Sequence, residues 1–71
     1  MRISYDAKAD TARVELRDYT AGDQVEQVVV GRPGLGDVVL DFDADGVLIG
    51  IEVLGAGLLA PPDLLADAEE I

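Results

Sequence analysis

Apolar and polar residues alternate along most of this chain. In residues 11–17 the side chains of Ala12, Val14 and Leu16 fall on one side and those of Arg13, Glu15 and Arg17 on the other. This is the period-two pattern of a strand with one buried and one wet face. Ile3 and Tyr5 alternate with Arg2 and Ser4 in the same way, and the polar run Asp6-Ala7-Lys8-Ala9-Asp10 between the two segments reads as a reversal. A third strand is predicted over residues 24–30, ending in Val28-Val29-Val30. Gly31-Arg32-Pro33-Gly34-Leu35-Gly36 reads as a loop by composition. Residues 37–42 form a fourth predicted strand, with Val38, Leu40 and Phe42 inward and Val39 and Asp41 outward. Asp43-Ala44-Asp45-Gly46 has the residues of a tight hairpin turn. Residues 47–54 are a fifth strand, with Val47, Ile49, Ile51 and Val53 toward the core.

The other face of that fifth strand carries Leu48, Gly50, Glu52 and Leu54, with Val39 nearby. It is partly apolar, so the C-terminal segment or a second protomer is expected to cover it. Gly55-Ala56-Gly57 ends the strand, and Pro61-Pro62-Asp63 has the residues of a helix start. Leu64, Leu65, Ala68 and Ile71 continue an apolar helical stripe over residues 61–71, too short to hold alone in water. Val39, Leu48, Leu54, Leu64 and Leu65 are therefore the candidate interface residues. The expected fold is α+β and mainly β: an antiparallel meander of four to five short strands over residues 1–55, with one short C-terminal helix over residues 61–71, in a single domain over 1–71.

Composition narrows the function. At 71 residues the core is thin, and aromatics are limited to Tyr5, Tyr19 and Phe42. Self-association would add burial, so a homodimer is expected. The sequence has no cysteine and no histidine, which removes the thiolate ligands of zinc, the usual general base and the usual pH switch. No cofactor is expected and the reading is non-enzymatic. Net charge is −10, and it is lopsided. Residues 21–71 hold one cation, Arg32, and eleven acids. Such a surface repels nucleic-acid phosphates and anionic lipid and suits a basic protein partner. No stretch is apolar enough to span a membrane, and the N-terminal segment, which meets Asp6 at once and has no apolar core, does not read as a secretory signal, so the expected location is the cytoplasm.

One stretch spells a metal motif. Asp41-Phe42-Asp43-Ala44-Asp45-Gly46, followed by Glu52, matches the EF-hand loop expression. The flanking residues are glycine-bounded and β-branched, so neither EF-hand helix is expected. The same letters suit a hairpin tip, where Asp starts turns and Gly ends them. Asp41, Asp43 and Asp45 remain a candidate weak cation site. Asp6 and Asp10 are expected to bond turn amides rather than act as an acid/base pair. Ser4 and Thr11 have no base partner, and the glycine loop lacks the Lys-Ser/Thr of a phosphate-binding loop. Arg2, Arg13 and Arg17 share a strand face and are a candidate anion or inter-subunit patch.

Three segments together resemble a family of short prokaryotic proteins known as domain of unknown function 2283. They are the opening Ile3-Ser4-Tyr5-Asp6-Ala7-Lys8-Ala9-Asp10-Thr11-Ala12-Arg13-Val14 hairpin, the segment Val38-Val39-Leu40-Asp41-Phe42-Asp43-Ala44-Asp45-Gly46, and the closing strand Leu48-Ile49-Gly50-Ile51-Glu52-Val53-Leu54. The resemblance covers about residues 2–55 and departs in the Gly31–Gly36 loop and the tail. It implies a compact antiparallel sheet with a C-terminal helix and no known activity. Some relatives are thought to accompany toxin-like proteins, which implies an antitoxin-like binding role. The leading expectation is a non-catalytic interaction module that self-associates and binds a basic protein. The alternatives are a carboxylate-based ligand- or cation-binding domain using Asp6, Asp10, Asp41 and Glu52, and a structural subunit of a larger assembly.

Overall fold

The computed structural model describes residues 1–71. Strands β1 (Arg2–Asp6) and β2 (Thr11–Glu15) form the expected hairpin. Asp6 shapes its turn, accepting hydrogen bonds from the amides of Lys8 at 3.0 Å and Ala9 at 3.3 Å. A second unit follows, of β3 (Glu26–Arg32), β4 (Gly36–Phe42) and β5 (Leu48–Leu54), paired antiparallel in sequence order. Two short helices, α1 (Ala56–Leu59) and α2 (Pro62–Asp67), lead to a final strand β6 (Glu69–Glu70). No helix is long and apolar enough to cross a membrane.

The sheet has six strands in the order β3-β4-β5-β2-β1-β6. It is mainly β, as the alternation predicts, but it is not a simple antiparallel meander. The hairpin joins the three-stranded unit through β2 against β5, with Val14 opposite Ile51 and Arg13 opposite Glu52. The chain leaving β2 must therefore travel past β5 and β4 to begin β3 at the far edge. Its ends are tied to that route, Leu16 N donating to Ile49 O at 2.9 Å and Val25 N to Phe42 O at 3.0 Å. Between them lies a 3-10 turn, Ala21–Asp23.

The C-terminal segment also departs from expectation. The helix stops at Asp67, and Glu69 and Glu70 pair in parallel with Ser4 and Tyr5 of β1. Ile71 N continues this by donating to Tyr5 O at 3.0 Å. Another helical turn would set Glu69 and Glu70 at the negative end of the dipole. Strand pairing instead satisfies the open backbone edge of β1, and Glu69 gains an ion pair to Arg2 at 3.0 Å. The expected Gly31–Gly36 loop is likewise shorter than its composition suggests. Gly31 and Arg32 pair with Asp37 and Gly36, leaving a tight turn at Pro33-Gly34-Leu35 in which Gly34 has φ 79°.

Cross-strand neighbours share a face, so the register sorts the side chains. Val14, Ile51, Leu40 and Val28 lie along one face, and Ala12, Val53, Val38 and Val30 lie beside them. Helix α1 sits over this apolar face, where Leu59 lines a groove with Val30, Val38 and Val53. Helix α2 packs on β1. The two helices are too short to cover six strands, so Val38, Leu40, Ile51 and Val53 stay half-buried while Ala12, Ile49 and Ala56 are fully buried. The opposite face corrects the expected orientation of β4. Asp41 is 0% and Val39 8% exposed, although both were expected to face outward.

Candidate functional site

One side chain from outside the strands lies over the polar face. Tyr19, in the connection between β2 and β3, reaches over β5 at Gly50, where a side chain would collide with its phenol. The Tyr19 hydroxyl accepts from the Arg13 guanidinium of β2 at 3.1 Å and donates to Asp41 Oδ2 of β4 at 3.4 Å. The Arg13 guanidinium also lies 5.4 Å from the Tyr19 ring centroid, a cation–π distance. Gln27 Nε2 of β3 donates to Asp41 Oδ1 at 2.9 Å. One buried carboxylate thus ties together β3, β4 and, through Tyr19, β2.

Glu52 completes the cluster. It stands opposite Arg13 and Val39, beside Asp41. Partial burial pushes its carboxyl above the ordinary 4.5, the negative charge of Asp41 pushes it further, and Arg13 opposes both. The arrangement is closed on itself: Gln27 and Tyr19 both donate to Asp41. Arg13 Nε alone is left over, 3.7 Å from Glu15 Oε1 and beyond hydrogen-bond reach.

The other residues singled out from the sequence have separate partners. Asp43 Oδ1 accepts from the amides of Asp45 at 2.9 Å and Val47 at 3.0 Å, and its Oδ2 accepts from Arg17 at 2.8 Å. The Val47 amide holds the Asp43 carboxyl below its ordinary 3.8; burial opposes it, and the Asp45 amide and Arg17 add to the lowering. Asp45 is exposed at the tip. Asp41, Asp43 and Asp45 therefore point to different tasks, and no group of three acids, histidines or cysteines is placed to hold a metal ion. Asp10 accepts from the Tyr5 hydroxyl at 2.8 Å and from Gly57 N of α1 at 2.9 Å, latching the first hairpin to the first helix. Of Asp6, Asp10, Asp41 and Glu52, only the last two come together. Arg2, Arg13 and Arg17 do not form one patch: they are engaged with Glu69, Tyr19 and Asp43 respectively.

The candidate interface residues divide similarly. Val39 is buried within the sheet, Leu48 is half-buried, and Leu64 and Leu65 are half-buried on α2. Leu54 is 38% exposed. The larger apolar surface lies on β3, which has no strand beyond it. All seven of its residues are exposed, with Val28 at 42%, Val29 at 61% and Val30 at 44%. Three consecutive valines put apolar surface on both faces of an open edge. Natural edges usually carry charge, proline or a bulge instead. The sequence signal was the break in alternation at Val28-Val29-Val30, which a strand buried on both faces would also produce.

A family model described as "Protein of unknown function (DUF2283)" matches residues 2–56. No curated protein and no solved structure matches the chain. The matched span takes in Asp10, the Asp41–Glu52 cluster and the whole of β3.

Proposed function

The chain belongs to the DUF2283 family, and from that premise we propose that it is a non-catalytic interaction module, one that self-associates and offers an acidic surface to a basic protein partner in the manner of an antitoxin. The observation that carries this reading is β3, an edge strand whose backbone and three valines are open to solvent. An edge strand of this kind is a template on which another chain can add a strand. The charge supports a basic partner: eleven acids against one arginine over residues 21–71 give a field that speeds encounter with a positive surface. The engagement of Asp6 and Asp43 in turns, of Asp10 with Tyr5 and helix α1 rather than the turn amides expected of it, and of Asp41 in a closed network, leaves a carboxylate-based ligand site with less to recommend it.

The test is capture by the tagged chain from its source cells at low ionic strength, followed by binding of the purified components. The reading expects one basic protein, retained at low salt and released as salt rises. Recovery of no basic protein at low salt contradicts it.

A further inference from the structure

Strand β3 reads Glu26-Gln27-Val28-Val29-Val30-Gly31-Arg32. We infer that its partner is a second copy of itself, paired antiparallel about a twofold axis at Val29. This rests on the interaction reading above and names the contact. Turned end for end, the strand is complementary to its own sequence. Val29 meets Val29 of the second copy, Val28 meets Val30, Gln27 meets Gly31, and Glu26 meets Arg32. The Val29 pair lies on the axis, and each of the other pairs occurs twice, as a twofold axis demands.

Three observations favour this occupant over a foreign strand. The first is charge. Arg32 is the only cation in residues 21–71, and it stands in the edge strand itself. Neither Arg32 nor Glu26 takes part in an ion pair in its own chain. Across the sheet Arg32 faces Gly36 and Glu26 faces Phe42, so neither charge has a partner there either. Placed opposite one another, they form two symmetric ion pairs flanking the valines.

The second is the face on which they fall. Glu26, Val28, Val30 and Arg32 alternate onto one side of the strand, the side where Val30 and Arg32 line the groove with Val38, Val53 and Leu59. Pairing extends that half-covered apolar face across the axis. The third is rigidity. Gln27 is held to the buried Asp41, and every residue of β3 is paired to β4. The edge is therefore already ordered, and pairing does not cost the entropy of folding a loose segment.

Charge exchange tests the register. Glu26 and Arg32 are exposed, so Glu26→Arg and Arg32→Glu leave the fold intact, which circular dichroism verifies. Each single variant sets like charges opposite one another twice per dimer and is expected to weaken self-association about tenfold. The double variant restores both pairs and is expected to recover wild-type affinity. An equimolar mixture of the two single variants is expected to form a mixed dimer more tightly than either alone, seen as the heterodimer mass by native mass spectrometry. Rescue and preferential mixing support the inference even if no basic partner is ever captured. A chain that stays monomeric overturns it even if a basic partner is captured. A dimer indifferent to these exchanges overturns it too.

Discussion

Gly50 leaves the space that the phenol of Tyr19 fills: a β-carbon at position 50 would overlap the Tyr19 hydroxyl and stand 3.0 Å from its Cζ. Gly50→Ala is therefore expected to push Tyr19 off the sheet and loosen the cover of Asp41. The cost is expected to be about 1–3 kcal/mol, as for overpacking at a closed site. In a Tyr19→Ala background the same alanine is expected to cost less than half as much, because the colliding ring is gone. Chemical denaturation of the four proteins measures this coupling. Equal costs in both backgrounds would show that the contact is not what Gly50 protects.

Asp41 is the second test of the polar face. Asp41→Ala leaves the donors of Gln27 and Tyr19 without their acceptor and is expected to destabilise by about 1–3 kcal/mol. Asp41→Asn keeps one acceptor oxygen and removes the charge beside Glu52. It is expected to cost clearly less than alanine, and denaturant midpoints measure the order. An asparagine as costly as alanine would mean that the negative charge itself is required.

Stability is expected to peak on the acid side of neutral. Glu52 keeps its proton to higher pH in the folded chain than in the unfolded one, because of burial and then the charge of Asp41. The folded state thus binds more protons. This contribution is fully present below the ordinary 4.5 and is lost as pH rises through the raised value. Asp43 acts in the other sense. Its contribution is present above the ordinary 3.8 and is lost as pH falls through the lowered value. Thermal melts are expected to give a higher Tm at about pH 5 than at about pH 7. Glu52→Gln is expected to raise stability at neutral pH by about 1 kcal/mol or less, since the group is only partly buried and solvent screens it. The gain should vanish below about pH 4. A variant no more stable than wild type at neutral pH would show that Glu52 carries no such strain.

These features were unequally legible in the sequence. The alternation in Ala12-Arg13-Val14-Glu15 and Val38-Val39-Leu40-Asp41 marked the strands, because a pleated backbone imposes period two whatever lies around it. It could say which residues share a face but not which face is covered. Asp41 and Val39 were expected to face outward, under the C-terminal segment or a second protomer, whereas Tyr19 lies over that face, in a connection with no period of its own. The sheet order was illegible for a related reason: β2 pairs with β5 across the chain, and no local pattern records a pairing so distant. The last residues were read as helix from Leu64, Leu65, Ala68 and Ile71, and tertiary pairing with β1 overrode that stripe after Asp67. The valine run of β3 announced a strand, yet only its place at the end of the sheet turned it into an exposed edge.

The central claim is that β3 is a contact surface between copies of this chain. The most direct measurement is solution mass by light scattering over a range of concentrations, wild type beside Val29→Lys. Val29 is 61% exposed, so lysine is accommodated in the folded chain but would meet its own copy on the axis. The account predicts the mass of two chains for the wild type at high concentration, shifting toward the 7.5 kDa of one chain on dilution. It predicts the single-chain mass for Val29→Lys throughout. A wild-type protein of single-chain mass at every concentration, or a Val29→Lys variant that dimerises as well as wild type, would contradict it.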